Sequence, residues 1–344
     1  MAVRYIGSKA RLAETILDII GAPDKSGARF VDAFCGTGIV ARTAALRGYS
    51  VVGNDTLLSA TILAHASLLD HSHVNFSSIG SYEEAVQRLN SAPGFRGFIW
   101  KSYSPASASD CGIERRYFTE DNALKIDGIR ELIATWKDQL LIDDAAEILL
   151  IADLIEAAND VANIAGTYGC FLKKWTAQSS GALVVRPREL FPLAVDSIFR
   201  VGDVFTLETS PSDIVYLDPP YTKRQYASYY HIPETIAYHD EPAVEGVAGL
   251  RPWKKMASPF CYKTKALNAI LECIAGLDAK RVFLSYSSQG HVSLDDLLER
   301  LAECGNVTVH ELGEIGRYRP NRIAAQGGDS VQEYLIQVDK GGRH

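Results

Sequence analysis

The chain has 344 residues, of which 47% are hydrophobic and 22% charged, the composition of a folded globular protein with length for about two domains; a disordered, collagen-like or coiled-coil chain is excluded. Thirty-five Lys and Arg against 42 Asp and Glu give a formal charge of −7, so any nucleic-acid binding must come from local basic patches rather than from the overall field. No apolar run approaches the ~20 residues of a membrane span, no signal-peptide core opens the chain, and six cysteines without a CxxC pair read as reduced thiols; the expectation is a cytoplasmic protein without a membrane partner, its oligomeric state open with a monomer favoured.

Arg11–Ile20 is the first helical pattern, with Leu12, Ile16 and Ile19 on one face. Phe30–Phe34 reads as a strand running into Cys35-Gly36-Thr37-Gly38, followed by a helix over Ile39–Arg47. Glycines there allow a tight turn and close approach of backbone amides to a ligand. Val51–Gly53 reads as the next strand and ends in Asn54-Asp55, with Asp55 seventeen residues after Gly38. A carboxylate at that place can accept hydrogen bonds from both hydroxyls of a ribose, which suggests an adenosine-type cofactor. The spacing Gly36-x-Gly38-x-x-Ala41 also meets the loose dinucleotide fingerprint, so a nicotinamide enzyme stays open at this stage.

Strand signals nearly vanish between Leu57 and Asp196. Ser91–Ser109 is rich in Gly, Pro and Ser and reads as loop, Ile126–Trp136 as a short helix and Asp143–Ala165 as one long helix. Residues 57–196 are therefore expected to form a mainly helical insertion into a core made of 1–56 and 197–344. Strands resume at Ser197–Val204, Ile214–Leu217, Arg281–Tyr286, Val307–Leu312 and Glu333–Val338, with helices at Lys265–Leu277 and Leu294–Glu303 between some of them. Alternation of this kind predicts an α/β fold with a parallel, helix-covered sheet. The last two strands lack an intervening helix and should form an antiparallel hairpin at the sheet edge.

The segment Ile214-Val215-Tyr216-Leu217-Asp218-Pro219-Pro220-Tyr221 carries the chemistry. Two prolines cannot continue a hydrogen-bonded ladder, so the chain must leave the sheet at the strand's carboxyl end, where open α/β sheets bind ligands. For the nucleobase amine that the family resemblance below implies, the lone pair is delocalised and the nitrogen is a poor nucleophile. A carboxylate (Asp218) and a backbone carbonyl (Pro219) that accept hydrogen bonds from its two N–H groups favour the pyramidal nitrogen that forms as a new bond develops. Tyr221 can stack on the base and hold it in line. Nothing in this scheme requires a metal or a protein nucleophile, so Cys35 is expected to be a packing residue.

These residues resemble the S-adenosylmethionine-dependent amino-methyltransferases, and among them the DNA adenine methylases of the alpha group. The resemblance rests on Arg4-Tyr5-Ile6-Gly7-Ser8-Lys9, Asp32-Ala33-Phe34-Cys35-Gly36-Thr37-Gly38, Asn54-Asp55, Gly202-Asp203-Val204 and the Asp218–Tyr221 tetrad, and spans nearly the whole chain. It implies a Rossmann-like seven-stranded methyltransferase sheet. It also implies S-adenosyl-L-methionine as cofactor, held by Tyr5, Lys9, Asp32, Phe34, Gly36, Gly38, Asp55 and Asp203, and catalysis by Asp218, Pro219 and Tyr221 on adenine in double-stranded DNA. The helical insertion would be the DNA target-recognition region, ending near Ala165–Lys174, and a cognate restriction endonuclease acting on the same site would be a further partner. The glycine loop departs from the relatives that carry three successive glycines.

A base in a duplex must be rotated out of the stack to reach such a pocket, at a cost of a few kcal/mol. Basic clusters at Lys173 and Lys174, at Lys223 and Arg224, at Lys254 and Lys255 within the acid-free stretch 251–265, and at Arg317, Arg319 and Arg322 are the candidate DNA contacts. His65, His71 and His73 lack the companion ligands of a metal site and are expected at the surface. Methylation of the cytosine 4-amino group, methylation of adenine in RNA, and a catalytically silent DNA-binding subunit remain open alternatives.

Overall fold

The computed structural model describes residues 6–24, 28–316 and 330–341. They divide into two compact units, one built on Gly7–Leu68, Val195–Tyr226 and Met256–His344, the other on Met1–Ile6, Leu69–Ala194 and Ala227–Lys255.

The first unit is a seven-stranded sheet. Its strands are β1 (Arg29–Asp32), β2 (Ser50–Asp55), β3 (Ser197–Val201), β4 (Ile214–Leu217), β5 (Arg281–Ser287), β6 (Asn306–Gly316) and β7 (Ser330–Asp339). Their spatial order is β3-β2-β1-β4-β5-β7-β6. The first five are parallel; β7 runs antiparallel between β5 and β6. The antiparallel pair expected at the edge is present, with β6 outermost and β7 inserted beside β5.

Side-chain alternation explains why both faces are covered. Val31, Val215, Leu217, Val282, Leu284, Ile336 and Val338 point to one face, where Ile270, Ile274, Leu297 and Leu301 of the helices Ala266–Gly276 and Leu294–Leu301 bury them. Phe30, Ile214, Tyr216, Phe283 and Leu335 point to the other, against Ile16, Leu17 and Ile20 of helix Ala13–Ile20 and Val40 and Ala44 of helix Ile39–Leu46. Each such fully buried side chain contributes about 1.5–3 kcal/mol. This core fixes the strand register: Asp32 pairs with Tyr216, so the loops leaving β1 and β4 start side by side. Strand order reverses between these two strands, which is where open α/β sheets bind ligands.

The second unit is helical, with long helices at Glu120–Asp138 and Asp144–Asp160. Three expectations need correction. Ser91–Ser109 is not a plain loop, because Phe98–Tyr103 is helical; buried Asp127 accepts the Ile99 and Trp100 amide protons at 3.1 and 2.8 Å and caps a helix that composition hides. The long helix stops at Asp160 rather than Ala165, since Asn163 turns the chain by bonding the carbonyls of Arg116 and Leu172. The insertion starts later than residue 57 and has a second piece. Helix Leu58–Ala66 belongs to the sheet unit, where His65 stacks on Phe199 at 5.0 Å, whereas Ala227–Lys255 belongs to the helical one. There Arg130 donates to the Thr235 carbonyl and Arg115 to those of Gly246 and Val247, contacts between positions more than 100 residues apart.

Among the described residues no helix is long and apolar enough to cross a membrane.

Candidate active site

The glycine turn is built by backbone economy. The Cys35 amide donates to the Asn54 carbonyl at 2.9 Å, the Asn54 side chain donates to the Ala33 carbonyl at 3.0 Å, and the Gly38 amide closes on the Cys35 carbonyl at 2.7 Å. Gly38 has φ +79°, and a Cβ there would stand 2.7 Å from the Ala64 Cα, so this turn needs glycine for both conformation and space. Asp55, at the end of β2, accepts from the Gly36 amide (3.0 Å) and the Leu57 amide (3.0 Å). Its carbonyl accepts the Gly202 amide at 2.9 Å, which carries the exposed Asp203 to the neighbouring position.

Asp32 ends β1 beside this turn and is 2% exposed. Its Oδ1 is buried with no hydrogen-bond partner among the described residues. Burial first, then the charges of Asp218 and Asp55, push its carboxyl up to about 8. An orphaned carboxylate oxygen behind a glycine turn is what a cationic ligand group completes. Cys35 is buried and its thiol is raised well above the ordinary range by burial and by Asp55 and Asp32, the setting of a packing residue.

The tetrad leaves β4 one register step away. The Ala33 amide donates to the Tyr216 carbonyl at 3.0 Å, tying the two loops at their roots. Asp218 is ion-paired with Lys9, Nζ to Oδ1 3.2 Å. Burial raises the Asp218 carboxyl, and the Lys9 charge and hydrogen bond pull it back. Lys9 also donates to the Tyr221 hydroxyl at 3.2 Å and lies 5.3 Å from that ring's centroid. Tyr221 packs edge-on against Tyr286 at 5.6 Å, and burial pushes its hydroxyl up to about 12, so the ring is neutral and firmly held. Lys9, expected at the cofactor, has its ammonium on Asp218 and Tyr221 of the tetrad. It is only 5% exposed. Burial works against its charge, but Asp218, Tyr221, Tyr216 and Glu333 outweigh that and hold it above the ordinary lysine range.

Phe34 stands edge-on to Phe260 at 5.4 Å, and Phe260 stacks on Phe205 at 5.7 Å and 8°. This row makes an aromatic wall beside Asp203, whose carboxylate accepts the Phe205 amide at 3.1 Å. Sequence reasoning missed Phe205, whose signal was an aromatic two residues after Asp203. Phe260 reads in the sequence as an aromatic of the basic stretch 251–265, a DNA-contact candidate, and nothing there points to this wall. Glu333, which Lys9 reaches at 3.3 Å, was missed as well.

Lys173, Lys174, Lys223, Lys254 and Lys255 are exposed, and neither they nor Arg224 enter an ion pair among the described residues. Arg251 differs: it is ion-paired with Asp240 at 2.9 Å and mostly buried, so it holds the helical unit together. Lys173, Lys174, Lys254 and Lys255 belong to the helical unit, and Lys223 and Arg224 to the sheet unit. Tyr5, Arg317, Arg319 and Arg322 lie outside the described residues. His73 pairs with Asp70 at 3.0 Å. Among the described residues no group of three His, Cys, Asp or Glu could hold a metal ion.

Comparison with known proteins gives the geometry a context. Residues 5–299 match the family model described as D12 class N6 adenine-specific DNA methyltransferase. The type II methyltransferase M.FokI of Planomicrobium okeanokoites is 33% identical over 98% of the chain, which spans 53% of that protein. M.NlaIII of Neisseria lactamica is 31% identical, with 98% of this chain and 99% of that protein covered. M.CviAII of Paramecium bursaria Chlorella virus 1 is 30% identical, with 98% of each covered. The chain thus spans about half the length of M.FokI and nearly all of the other two.

Proposed function

The chain belongs to the D12 class of N6 adenine-specific DNA methyltransferases, and from that premise we propose that it moves a methyl group from S-adenosyl-L-methionine to the 6-amino group of adenine at a specific site in double-stranded DNA. The observation that carries this reading is the common root of the two loops. The glycine turn with its orphaned Asp32 oxygen and the Asp218–Tyr221 tetrad leave adjacent strands at one sheet edge.

The cofactor, when bound, supplies an electrophilic methyl on a sulfonium. Asp32 would face its cationic ammonium, Gly36 and Gly38 would let the backbone approach, and Asp55 would accept from the ribose hydroxyls. Asp203 would accept from the adenine amine, with Phe34 and Phe205 lending apolar surface. Asp218 and the Pro219 carbonyl accept hydrogen bonds from the two N–H groups of the target amine and stabilise the positive charge that grows on its nitrogen, which sheds one proton once the methyl is in place. Tyr221 holds the extruded base against the methyl. The helical unit, with Lys173, Lys174, Lys254 and Lys255, serves target recognition, and Lys223 and Arg224 extend the phosphate contacts from the sheet unit; Arg317, Arg319 and Arg322 keep the roles expected from the sequence. The relatives' names, type II methyltransferase and modification methylase, support a modification role in which a cognate endonuclease cuts the same site unmethylated.

The test is direct. Duplex DNA of mixed sequence treated with the full chain and the cofactor, then digested to nucleosides, should contain N6-methyldeoxyadenosine by mass spectrometry. Methyl found on the cytosine 4-amino group, or on adenine in RNA alone, would overturn the reading.

Asp32 adds a pH signature. With its carboxyl near 8 in the free protein, it is largely protonated at neutral pH and must ionise to pair with a cationic ammonium. Cofactor binding therefore releases a proton. Affinity should rise by up to about tenfold per pH unit and level off above about pH 8, with Asp32→Asn abolishing the slope. Calorimetry in buffers of different ionisation enthalpy checks this; a flat profile in the wild type would remove Asp32 from the cofactor site.

A further inference from the structure

Lys9 stands between two carboxylates on different elements. Its Nζ is 3.2 Å from Asp218 Oδ1 after β4 and 3.3 Å from Glu333 Oε2 in β7. The fold explains why Glu333 reaches this edge. Because β7 is antiparallel to β5, its first residues lie where β5 ends, with Glu333 opposite Ser287. Glu333 also shares the face of Leu335, which packs in the same cluster as Tyr216 and helix Ala13–Ile20. The Lys9 carbonyl accepts the amides of Leu12 and Ala13 and so ties Lys9 to the start of that helix. The chemistry of methyl transfer uses Asp218 and leaves Glu333 without a part.

We propose that Glu333 is a positioning residue for methyl transfer: it is the second seat of the Lys9 ammonium, onto which Lys9 shifts when the adenine amine comes to Asp218. The proposal rests on the adenine methyltransferase reading. A carboxylate closed on a lysine is a weakened acceptor for an incoming amine. Here the lysine has a second carboxylate 3.3 Å away, against 3.2 Å for the first, so Asp218 can be opened without leaving a buried ammonium unpaired, which is costly. Lys9 and Glu333 are 5% and 7% exposed, so water offers neither a substitute partner. One cation between two carboxylates also leaves a surplus negative charge, opposite in sign to the charge that develops on the amine.

The charged and titratable groups facing Asp218 are Lys9 from the opening loop, Asp32 of β1, Tyr216 of β4, Tyr221 and Glu333. Those facing Glu333 are Lys9, Asp218 and the Tyr221 hydroxyl. Burial lifts both carboxyls and the shared Lys9 pulls both down. Removing the Glu333 charge gives Lys9 wholly to Asp218, which lowers the carboxyl of Asp218.

Glu333→Gln keeps shape and loses charge. The expected result is a fall of about tenfold in kcat, an unchanged KM for the cofactor, and an acid limb of the kcat profile moved to lower pH. Lys9→Met should move that limb the opposite way, because it leaves Asp218 buried without its cation. Glu333→Asp should recover part of the rate. An acid limb that stays in place or rises in Glu333→Gln, whatever the rate, would overturn the proposal, since a purely structural role has no reason to move it downward. Failure of the underlying reading looks different: the wild-type chain itself would leave no methyl on adenine before any variant is compared.

Discussion

Asp218→Asn is expected to lower the rate of methyl transfer at saturating cofactor and DNA by about a hundred- to a thousandfold, while cofactor affinity stays within about twofold. The size follows from what the carboxylate does. On the proposed reading it is the anionic acceptor for the target amine, and its charge counts most when the nitrogen becomes positive. An amide of the same volume preserves packing against the Pro219–Pro220 exit and can still accept one hydrogen bond, but it offers no charge. Lys9 remains paired, because Glu333 is 3.3 Å away, so the substitution does not strand a buried ammonium. Cofactor affinity is kept because Asp32 and Asp55, on β1 and β2, stay in place; losing the Asp218 charge lowers the Asp32 carboxyl, so the small change is toward tighter binding. Single-turnover transfer of labelled methyl, with calorimetry of cofactor binding beside it, separates the two quantities. A variant that keeps its rate within about fivefold would remove Asp218 from the chemistry, and a variant that loses both would make it a structural residue.

The parts of this fold that were legible in the sequence are those set by local pattern. β4 is found with its predicted bounds because four apolar residues are cut off by Asp-Pro-Pro, a stop that no neighbour can override. The glycine turn and Asp55 were legible because positive φ and close approach demand particular residues. Helix Phe98–Tyr103 was not, since its stability comes from Asp127, which lies far along the chain. Nor was the assignment of Ala227–Lys255 to the helical unit, which rests on contacts such as Arg130 to the Thr235 carbonyl. The site divides in the same way. Asp32, Asp55, Asp218 and Tyr221 sit in motifs next to strand ends. Glu333 and Phe260 reach their places through tertiary packing, and a Glu in an apolar strand looks like any other edge charge until antiparallel pairing brings it to the sheet end that carries the tetrad.

The second large effect is expected at Asp55. Asp55→Ala should weaken cofactor binding by about a hundredfold, roughly 2.7 kcal/mol, with the rate at saturating cofactor changed by no more than a few-fold. A hydrogen bond to a charged acceptor contributes about 1.5–3 kcal/mol, and this carboxylate has two oxygens, each already oriented by a backbone amide: Gly36 on one and Leu57 on the other. Those amides fix the carboxylate so that its remaining lone pairs are presented without further ordering, and they also make Asp55 a clamp on the glycine turn. The two roles predict different patterns. If the carboxylate acts on the ribose, adenosine should lose as much affinity as the whole cofactor, methionine should lose none, and Asp55→Asn, which keeps one acceptor, should cost only about tenfold. If it acts through the turn, methionine should lose affinity too, because on the proposed reading the Gly36–Gly38 backbone is set against that end. Equal binding of the cofactor by Asp55→Ala and the wild type would remove Asp55 from the ribose altogether.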